Sequence, residues 1–375
     1  MGLQNRQLAE VTRKEIKMKR IACLIDSLSE GGAQRQMIGL AKLLTESGYI
    51  VKFIWYYPGG FYEPLLHSTN VDCVNIRPTN RIDRILKIRS ELSKFSPDVV
   101  IAYLGGPVIT MGAFKMFGAK FKLITSERIA YSSMKLSIMQ RLRFFMHRFA
   151  DVIVPNSHAM EQFMRQNFKA LAPKLVTITN FTDTIHFKPA HKKAESETIT
   201  ILSVGRISSQ KNILNYIKAL ATLKGRYNFR IKWFGGISSD EYYQSCLKLI
   251  ETLGLSDFFS FYKSSRDILN EYQSADIFCL PSTFEGFPNV VCEAMSCSLP
   301  VACGDVCDNS LIVDDGENGS LFDPYNVDSI ANGLEKLLTL SQENRRKMGE
   351  NARVKALKAF SEKAFVEKYI ELIEH

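Results

Sequence analysis

Short apolar runs alternate with amphipathic stretches along most of this chain. "RIACLIDSL" (20–28) predicts a strand, followed by the glycine loop "SEGGAQRQ" and a helix that closes on Gly48. "YIVKFIWYY" (49–57) predicts the next strand, "RIDRILKIRSELSKF" (81–95) a helix and "PDVVIAYL" (97–104) a further strand. "KLITSER" (122–128) runs as a strand into a polar loop. A helix over about 135–149 and the strand-like "DVIVPNS" and "LVTITNF" follow. Residues 188–198, "KPAHKKAESET", carry neither periodicity and mark a linker. Beyond it a second series begins: "ITILSVGR", the helix "NILNYIKALATLK", "FRIKWFGG", the helix "DEYYQSCLKLIETLG", "FFSFYK", the helix "RDILNEYQSA", "DIFCLPS" and, later, "LPVACGDV". Apolar runs alternating with amphipathic helices imply βαβ units and parallel sheets covered on both faces. The expectation is an α/β fold of two doubly wound domains facing a cleft. The first domain spans 18–190 and the second 191–360, with a tail over 1–17.

Composition narrows this picture. The 375 residues are 46% hydrophobic and 23% charged, ordinary for a globular chain with room for two domains. The first twenty residues are polar and basic, so no signal peptide is expected, and no run reaches the length of a membrane span. Residues 1–17 read as dispensable, either a start-codon artefact or a short basic arm. Eight cysteines lie scattered without C-x-x-C spacing. Cys303 and Cys307 would be the one pair to suspect of metal or redox chemistry. Small buried hydrophobes in a reducing compartment are the favoured reading, which places the protein in the cytoplasm.

Charge adds a direction. Residues 81–150 hold thirteen Lys/Arg against four Asp/Glu, a surplus of nine that equals the surplus of the whole chain (48 − 39). Such a patch implies an anionic partner: phosphate groups, a membrane surface or nucleic acid. Aromatics alternating with arginines for base stacking are not evident, so nucleic acid is set aside.

Two stretches of the second half suggest chemistry. "SVGRISSQKN" (203–212) places Arg206 and Lys211 between a strand end and a helix start, where helix dipole, free N–H groups and cations together suit a phosphate. Two surface cations are the plain alternative. "FEGFPNVVCEAM" (284–295) holds Glu285 and Glu293 in apolar surroundings. Pro288 suits the first turn of a helix, so Glu285 falls in a loop and Glu293 in the helix. Two acceptors with amide donors between them suit a ligand with hydroxyls at both ends and phosphates in the middle, the shape of a nucleotide sugar.

"VGRISSQKN", "FGG", "ILNEYQSADIFCLPSTFEGFPNVVCEAMSCSLPVACGD" and "IVDDGENGSLFDP" resemble, in order, the motifs of retaining family-4 glycosyltransferases of the GT-B fold. The resemblance extends from Met18 over nearly the whole chain. It is closest to bacterial enzymes that build capsule, O-antigen or lipid-linked oligosaccharide on a polyprenyl diphosphate.

That resemblance implies roles residue by residue. Gly205, Arg206 and Lys211 would hold the donor diphosphate and stabilise the leaving nucleoside diphosphate. Glu285 would bind sugar hydroxyls and Glu293 both ribose hydroxyls. Phe287, Asn289 and Val290 would offer backbone N–H groups. Ser265 and Arg266, in "KSSRD", would lie where the base is gripped, although Lys263 stands where glycine is common. Gly31 and Gly32 would let backbone approach the donor. No metal and no cofactor are implied, the nucleotide sugar being a co-substrate. Glu127 is followed by Arg128 where many relatives have histidine. An arginine cannot act as a base, so Glu127 or Arg128 is expected to orient the acceptor. Cys307 stands where glycine is usual, with only local backbone consequences expected. His158 and His186 are expected to be structural. The last helix (361–375), with Phe365, Tyr369, Leu372 and Ile373 on one face, is expected to return and cover the first domain.

The basic half fits this reading. Helix 81–95 carries Arg84, Lys87, Glu91 and Lys94 on one side and Ile82, Ile85, Leu86 and Leu92 on another. Helix 135–149 mixes Lys135, Arg141, Arg143 and Arg148 with Leu136, Ile138, Leu142, Phe144, Phe145 and Phe149. Basic amphipathic helices with bulky aromatics can lie on an anionic membrane surface. Arg84, Lys87, Arg141 and Arg143 are therefore assigned to a lipid-linked acceptor and the cytoplasmic face of the inner membrane. The rival readings are a nucleotide-sugar 2-epimerase of the same fold and a non-catalytic nucleotide-sugar-binding protein.

Overall fold

The structure is a computed structural model that describes residues 18–128, 136–190, 196–265 and 267–375. The tail 1–17, Lys135 and Arg266 lie outside the described residues. Two compact units emerge. Residues 18–127, 136–153 and 373–375 form the first, Arg128 and 154–372 the second.

In the first unit, six strands form one sheet: β1 (Arg20–Leu24), β2 (Ile50–Trp55), β3 (Asp72–Asn75), β4 (Val99–Tyr103), β5 (Lys122–Glu127) and β6 (Val152–Pro155). Their order is β3-β2-β1-β4-β5-β6. β1 and β4, at the centre, pair in parallel with Ile21 opposite Val99. All five residues of β4 are buried, as expected of a strand covered on both faces. The helices are α1 (Gly32–Glu46), α2 (Glu63–His67), α3 (Arg81–Phe95), α4 (Gly105–Met116) and α5 (Ile138–His147). Asn80 caps α3 by accepting from the N–H groups of Ile82 and Asp83, and Ser137 with Gln140 forms a capping box on α5. α3 turns Ile88, Leu92 and Phe95 into the core. Ile82, Ile85 and Leu86, expected on that apolar side with Leu92, are exposed instead.

The second unit opens with α6 (His158–Asn167) and then repeats the plan. Its strands are β7 (Ile199–Val204), β8 (Phe229–Phe234), β9 (Phe259–Tyr262), β10 (Ile277–Leu280), β11 (Val301–Gly304) and β12 (Gly319–Phe322), in the order β12-β11-β10-β7-β8-β9. Its helices are α7 (Ile213–Leu223), α8 (Asp240–Thr252), α9 (Leu269–Ser274), α10 (Asn289–Ser296), α11 (Asn309–Ile312), α12 (Val327–Leu338), α13 (Gln342–Ala359) and α14 (Glu362–Glu374). Tyr216 and Trp233 anchor one apolar cluster, and Phe278, Val291 and Met295 belong to another.

Three expectations change. "LVTITNF" forms no strand, and Ile178 N–H bonding the Pro155 carbonyl (3.2 Å) is its link to β6. Pro288 is the cap before α10 rather than its first residue. Residues 373–375 at the end of the last helix group with the first unit, where Lys19 pairs with Glu374 at 2.9 Å. The body of that helix stays with the second unit, because Phe365 packs on Phe181 with ring centroids 4.8 Å apart.

Candidate active site

In each sheet the strand order reverses once, between β1 and β4 and between β7 and β10. Ligands of open α/β sheets bind outside the carboxyl ends of the strands at such a point. The loops leaving β7 and β10 carry the residues singled out from the sequence.

After β7, Gly205 is hydrogen-bonded on both sides: its N–H donates to the Phe234 carbonyl at 2.9 Å, and its carbonyl accepts from Trp233 Nε1 at 2.8 Å. A Cβ at Gly205 would lie 2.9 Å from Lys211 Cε, so glycine leaves room for the lysine stem. Lys211 ends a short 3-10 turn, Ser209–Lys211. Its Nζ meets Glu285 Oε1 at 2.5 Å, with both side chains almost buried. Arg206 is exposed and enters no ion pair among the described residues. The two loops are clasped together. Gln210 Nε2 donates to the Phe284 carbonyl at 2.8 Å, and Thr283 N–H donates to the Gln210 carbonyl at 3.0 Å. Asn212, in the left-handed region at φ 55°, donates to the carbonyls of Pro281 and Pro324.

Cys307 reaches this loop as well. Its φ is 53°, the conformation that explains a glycine preference at that position, and its Sγ accepts the Glu285 N–H at 3.5 Å. The consequence of a cysteine here is therefore not confined to its own backbone. Burial pushes the Cys307 thiol above its ordinary value, which keeps it a neutral thiol.

α10 carries the rest. In its first turn, Asn289 N–H donates to the Phe287 carbonyl at 3.0 Å and Val291 N–H to the Pro288 carbonyl at 2.9 Å, while the Val290 N–H has no intrahelical acceptor by position. Phe287 is buried against Phe360, with centroids 5.9 Å apart. Glu293 is buried, and the Tyr272 hydroxyl donates to its Oε2 at 3.0 Å. Asn289 Oδ1 accepts from Asn180 Nδ2 at 2.8 Å, and Asn180 Oδ1 in turn accepts from Arg128. Arg128 also donates to the Tyr369 hydroxyl at 3.1 Å. Ser265 is exposed in the loop after β9, bonded to both main-chain groups of Asp267.

The first unit has a different character at its own reversal point. Gly31 precedes α1 with extended backbone, so its φ does not demand glycine, and Gly32 opens the helix. Asp26, just past β1, has its carboxyl pushed up by burial, with Ser27 and Arg84 pulling the other way. Glu127 is buried at the end of β5. It meets Arg143 Nε at 3.1 Å and His147 Nε2 at 3.6 Å, and Thr125 Oγ1 is 2.8 Å from His147 Nδ1.

These partners revise two assignments. Glu127 and Arg128, adjacent in sequence, serve different networks in different units. Arg143, assigned to a cationic outer face, is 5% exposed and holds Glu127. Arg141 is exposed as expected, and Lys87 is engaged by Asp83 at 2.9 Å and by the Arg77 carbonyl at 3.0 Å. Tyr272, Asn180, His147 and Asp26 carry no signal in the linear sequence. Tyr272, Asn180 and His147 join the candidate site through partners distant in sequence, and Asp26 through Ser27 and Arg84.

Residues 30–186 match the family described as Glycosyltransferase Family 4, and residues 184–355 match Glycosyl transferases group 1. An uncharacterized glycosyltransferase of Haemophilus influenzae is 27% identical over 368 residues, covering 94% of this chain and 98% of that one. The GalNAc-alpha-(1->4)-GalNAc-alpha-(1->3)-diNAcBac-PP-undecaprenol alpha-1,4-N-acetyl-D-galactosaminyltransferase of Campylobacter jejuni is 25% identical, covering 95% of this chain and 98% of its own length. Among solved structures, Anabaena HepE in complex with UDP and glucose superposes with a TM-score of 0.81 at 19% identity, covering 95% of this chain and 99% of that one.

Proposed function

Because the chain belongs to the family-4 glycosyltransferases, with the GT-B fold, we propose that it moves a hexose or N-acetylhexosamine from a nucleotide sugar, a UDP-sugar foremost, to a glycan on a polyprenyl diphosphate. Transfer proceeds with retention of anomeric configuration and without a metal or other cofactor. The observation that carries this reading is the reversal point of the second sheet. There Arg206, the Lys211–Glu285 pair and the opening of α10 converge from the loops after β7 and β10.

The chemistry follows from the charges. As the bond from sugar to phosphate lengthens, negative charge grows on the leaving diphosphate. Arg206 supplies an unengaged cation for it. Lys211, held by Glu285 until a stronger anion arrives, supplies the second. Fixed charges aimed at developing charge are commonly the largest catalytic term. Glu285 then accepts from sugar hydroxyls, and Glu293, steadied by Tyr272, accepts from the ribose. Gly31, Gly32, Ser265, Arg266 and the N–H groups of Phe287 and Val290 complete the donor contacts, the Asn289 N–H being held by the Phe287 carbonyl at 3.0 Å. The departing phosphate oxygen takes the acceptor hydroxyl's proton on the same face, which gives retention. Glu127, sealed against Arg143, acts on the acceptor side only by fixing the end of β5 and the loop that leaves it. Arg128 reaches the donor helix through Asn180 and Asn289.

No helix among the described residues is long and apolar enough to cross a membrane. Ile138 and Phe145 are 84% and 46% exposed, and Arg148 stacks on Phe145 at 4.8 Å. Basic and bulky apolar side chains exposed together suit the anionic cytoplasmic face of an inner membrane.

The test is incubation with UDP-, GDP- and ADP-sugars and a polyprenyl-diphosphate glycan, followed by mass spectrometry of the lipid and NMR of the new linkage. One added sugar with the donor's anomeric configuration is expected, unchanged by a chelator. An epimer formed from UDP-sugar alone would favour the epimerase, and donor binding without transfer to any acceptor a binding protein.

A further inference from the structure

A groove in the first unit has no part in the donor chemistry. It runs between α3 and α4 and encloses about 960 Å³. Leu86, Leu92, Ile109, Ala113, Phe114 and Phe117 give it an apolar wall. Leu86 is 59% exposed and Phe117 is 82% exposed, large hydrophobes of the kind that mark a binding surface when they lie together. Lining residues extend along α3 from Arg84 to Ser96, roughly 18 Å at 1.5 Å per residue. α3 follows β3 and α4 follows β4, so their first turns, with Arg84 and Ile109, lie toward the carboxyl edge of the sheet. The other end, at Ser96 and Phe117, lies toward the opposite edge.

Cations are placed along this path. Arg84 lies over the Tyr56 ring at 5.0 Å, and its Nε is buried without a hydrogen-bond partner among the described residues. Arg89 and Lys120 line the groove and enter no ion pair among the described residues. A groove roughly 18 Å long with one apolar wall, polar at its rim and with a guanidinium at its site end, is complementary to one hydrocarbon chain bearing an anionic head.

We propose that this groove holds the isoprenoid chain of the polyprenyl diphosphate acceptor, with Arg84 turned to its phosphate groups; this rests on the acceptor class proposed above. A single channel suits a single-chain lipid, whereas a glycerophospholipid brings two chains and a bilayer to hold them. Membrane contact through Ile138 and Phe145 is a separate matter, since α5 does not line the groove.

The test uses the full chain and a short polyprenyl diphosphate with a diazirine at its far end. After irradiation, the expected labels lie in peptides spanning 84–98 and 109–121, and excess unlabelled polyprenyl diphosphate competes them away. Ala113→Trp fills the groove and should lower labelling about tenfold, a loss of about 1.4 kcal/mol in binding. Leu86→Ser, at an exposed position that does not threaten folding, should lower it in the same direction. Labels elsewhere, or labelling that neither variant changes, would overturn the proposal. So would equal labelling by a diazirine phosphatidylglycerol, which would make the groove a bulk-lipid contact. Labelling as expected with no sugar transferred to any lipid leaves the groove standing and removes the transfer reading. Transfer without labelling does the reverse.

Discussion

The two sheets share one strand order, 3-2-1-4-5-6 by position, yet they present different chemistry at their reversal points. In the second unit the loops carry Arg206, exposed and in no ion pair among the described residues, and Lys211, almost buried on Glu285. In the first unit the charged pair nearest the reversal point, at the end of the neighbouring strand β5, is sealed. Arg143 and Glu127 are 6% and 2% exposed at their side chains, and the surface instead offers Leu86, Phe117 and Ile138. One topology thus carries a charged loop pair in one unit and exposed apolar helix faces in the other. Topology fixes where a ligand binds, and the loops and outer helix faces fix what it is.

Removing a charge partner separates the two cases most sharply. Arg143→Met leaves Glu127 buried without its cation. It should cost about 3–5 kcal/mol of stability, because an uncompensated buried carboxylate is expensive. Thermal unfolding would then fall by on the order of 10 °C. An unchanged melting temperature would mean that this pair is not sealed. Arg206→Ala touches an exposed residue, so stability should hold while turnover falls about 10²–10³-fold, as for loss of a charge-stabilising group. Kinetics alongside a melting curve checks both halves of that statement.

Smaller effects sharpen the donor half. Glu293→Ala should chiefly weaken donor binding, by about 1–3 kcal/mol, since it removes a buried acceptor that Tyr272 holds in place. Glu285→Ala should chiefly lower turnover. Titration of donor together with kcat would expose an exchange of the two roles. Asn180→Ala breaks the relay from Arg128 to Asn289 and should raise the donor KM by about 0.5–1.5 kcal/mol equivalent. Arg128→Ala should do the same, and intact turnover would sink any direct part for that arginine.

The smallest effect is one of pH. Asp26 binds its proton more tightly in the folded protein, chiefly because it is buried. Its favourable contribution is therefore full below the ordinary aspartate value of about 3.9 and is lost as pH rises through the folded value. Asp26→Asn should melt higher than the parent at neutral pH, and the gap should close toward pH ~4.

Much of this was legible in the sequence, and the remainder was not for physical reasons. Long apolar strands such as β4 announce themselves, whereas β3 is a four-residue edge strand with no fully buried position and gives no clear period. Arg206, Lys211, Glu285 and Glu293 were legible because each follows its strand within one loop or helix. Their partners were not. Tyr272 is 21 positions from Glu293, and Asn180 is 109 from Asn289, distances that only the fold closes. Arg143 resembled a solvated cation because helical spacing reports a face and not what covers it.

The central claim is that the donor's diphosphate sits at the reversal point of the second sheet. Amide hydrogen exchange with and without saturating UDP tests it most directly. Protection is expected in peptides spanning 204–212 and 284–296 of the wild-type protein, and it should fade in Arg206→Ala. Protection confined to other segments, or none at saturating UDP, would contradict the account.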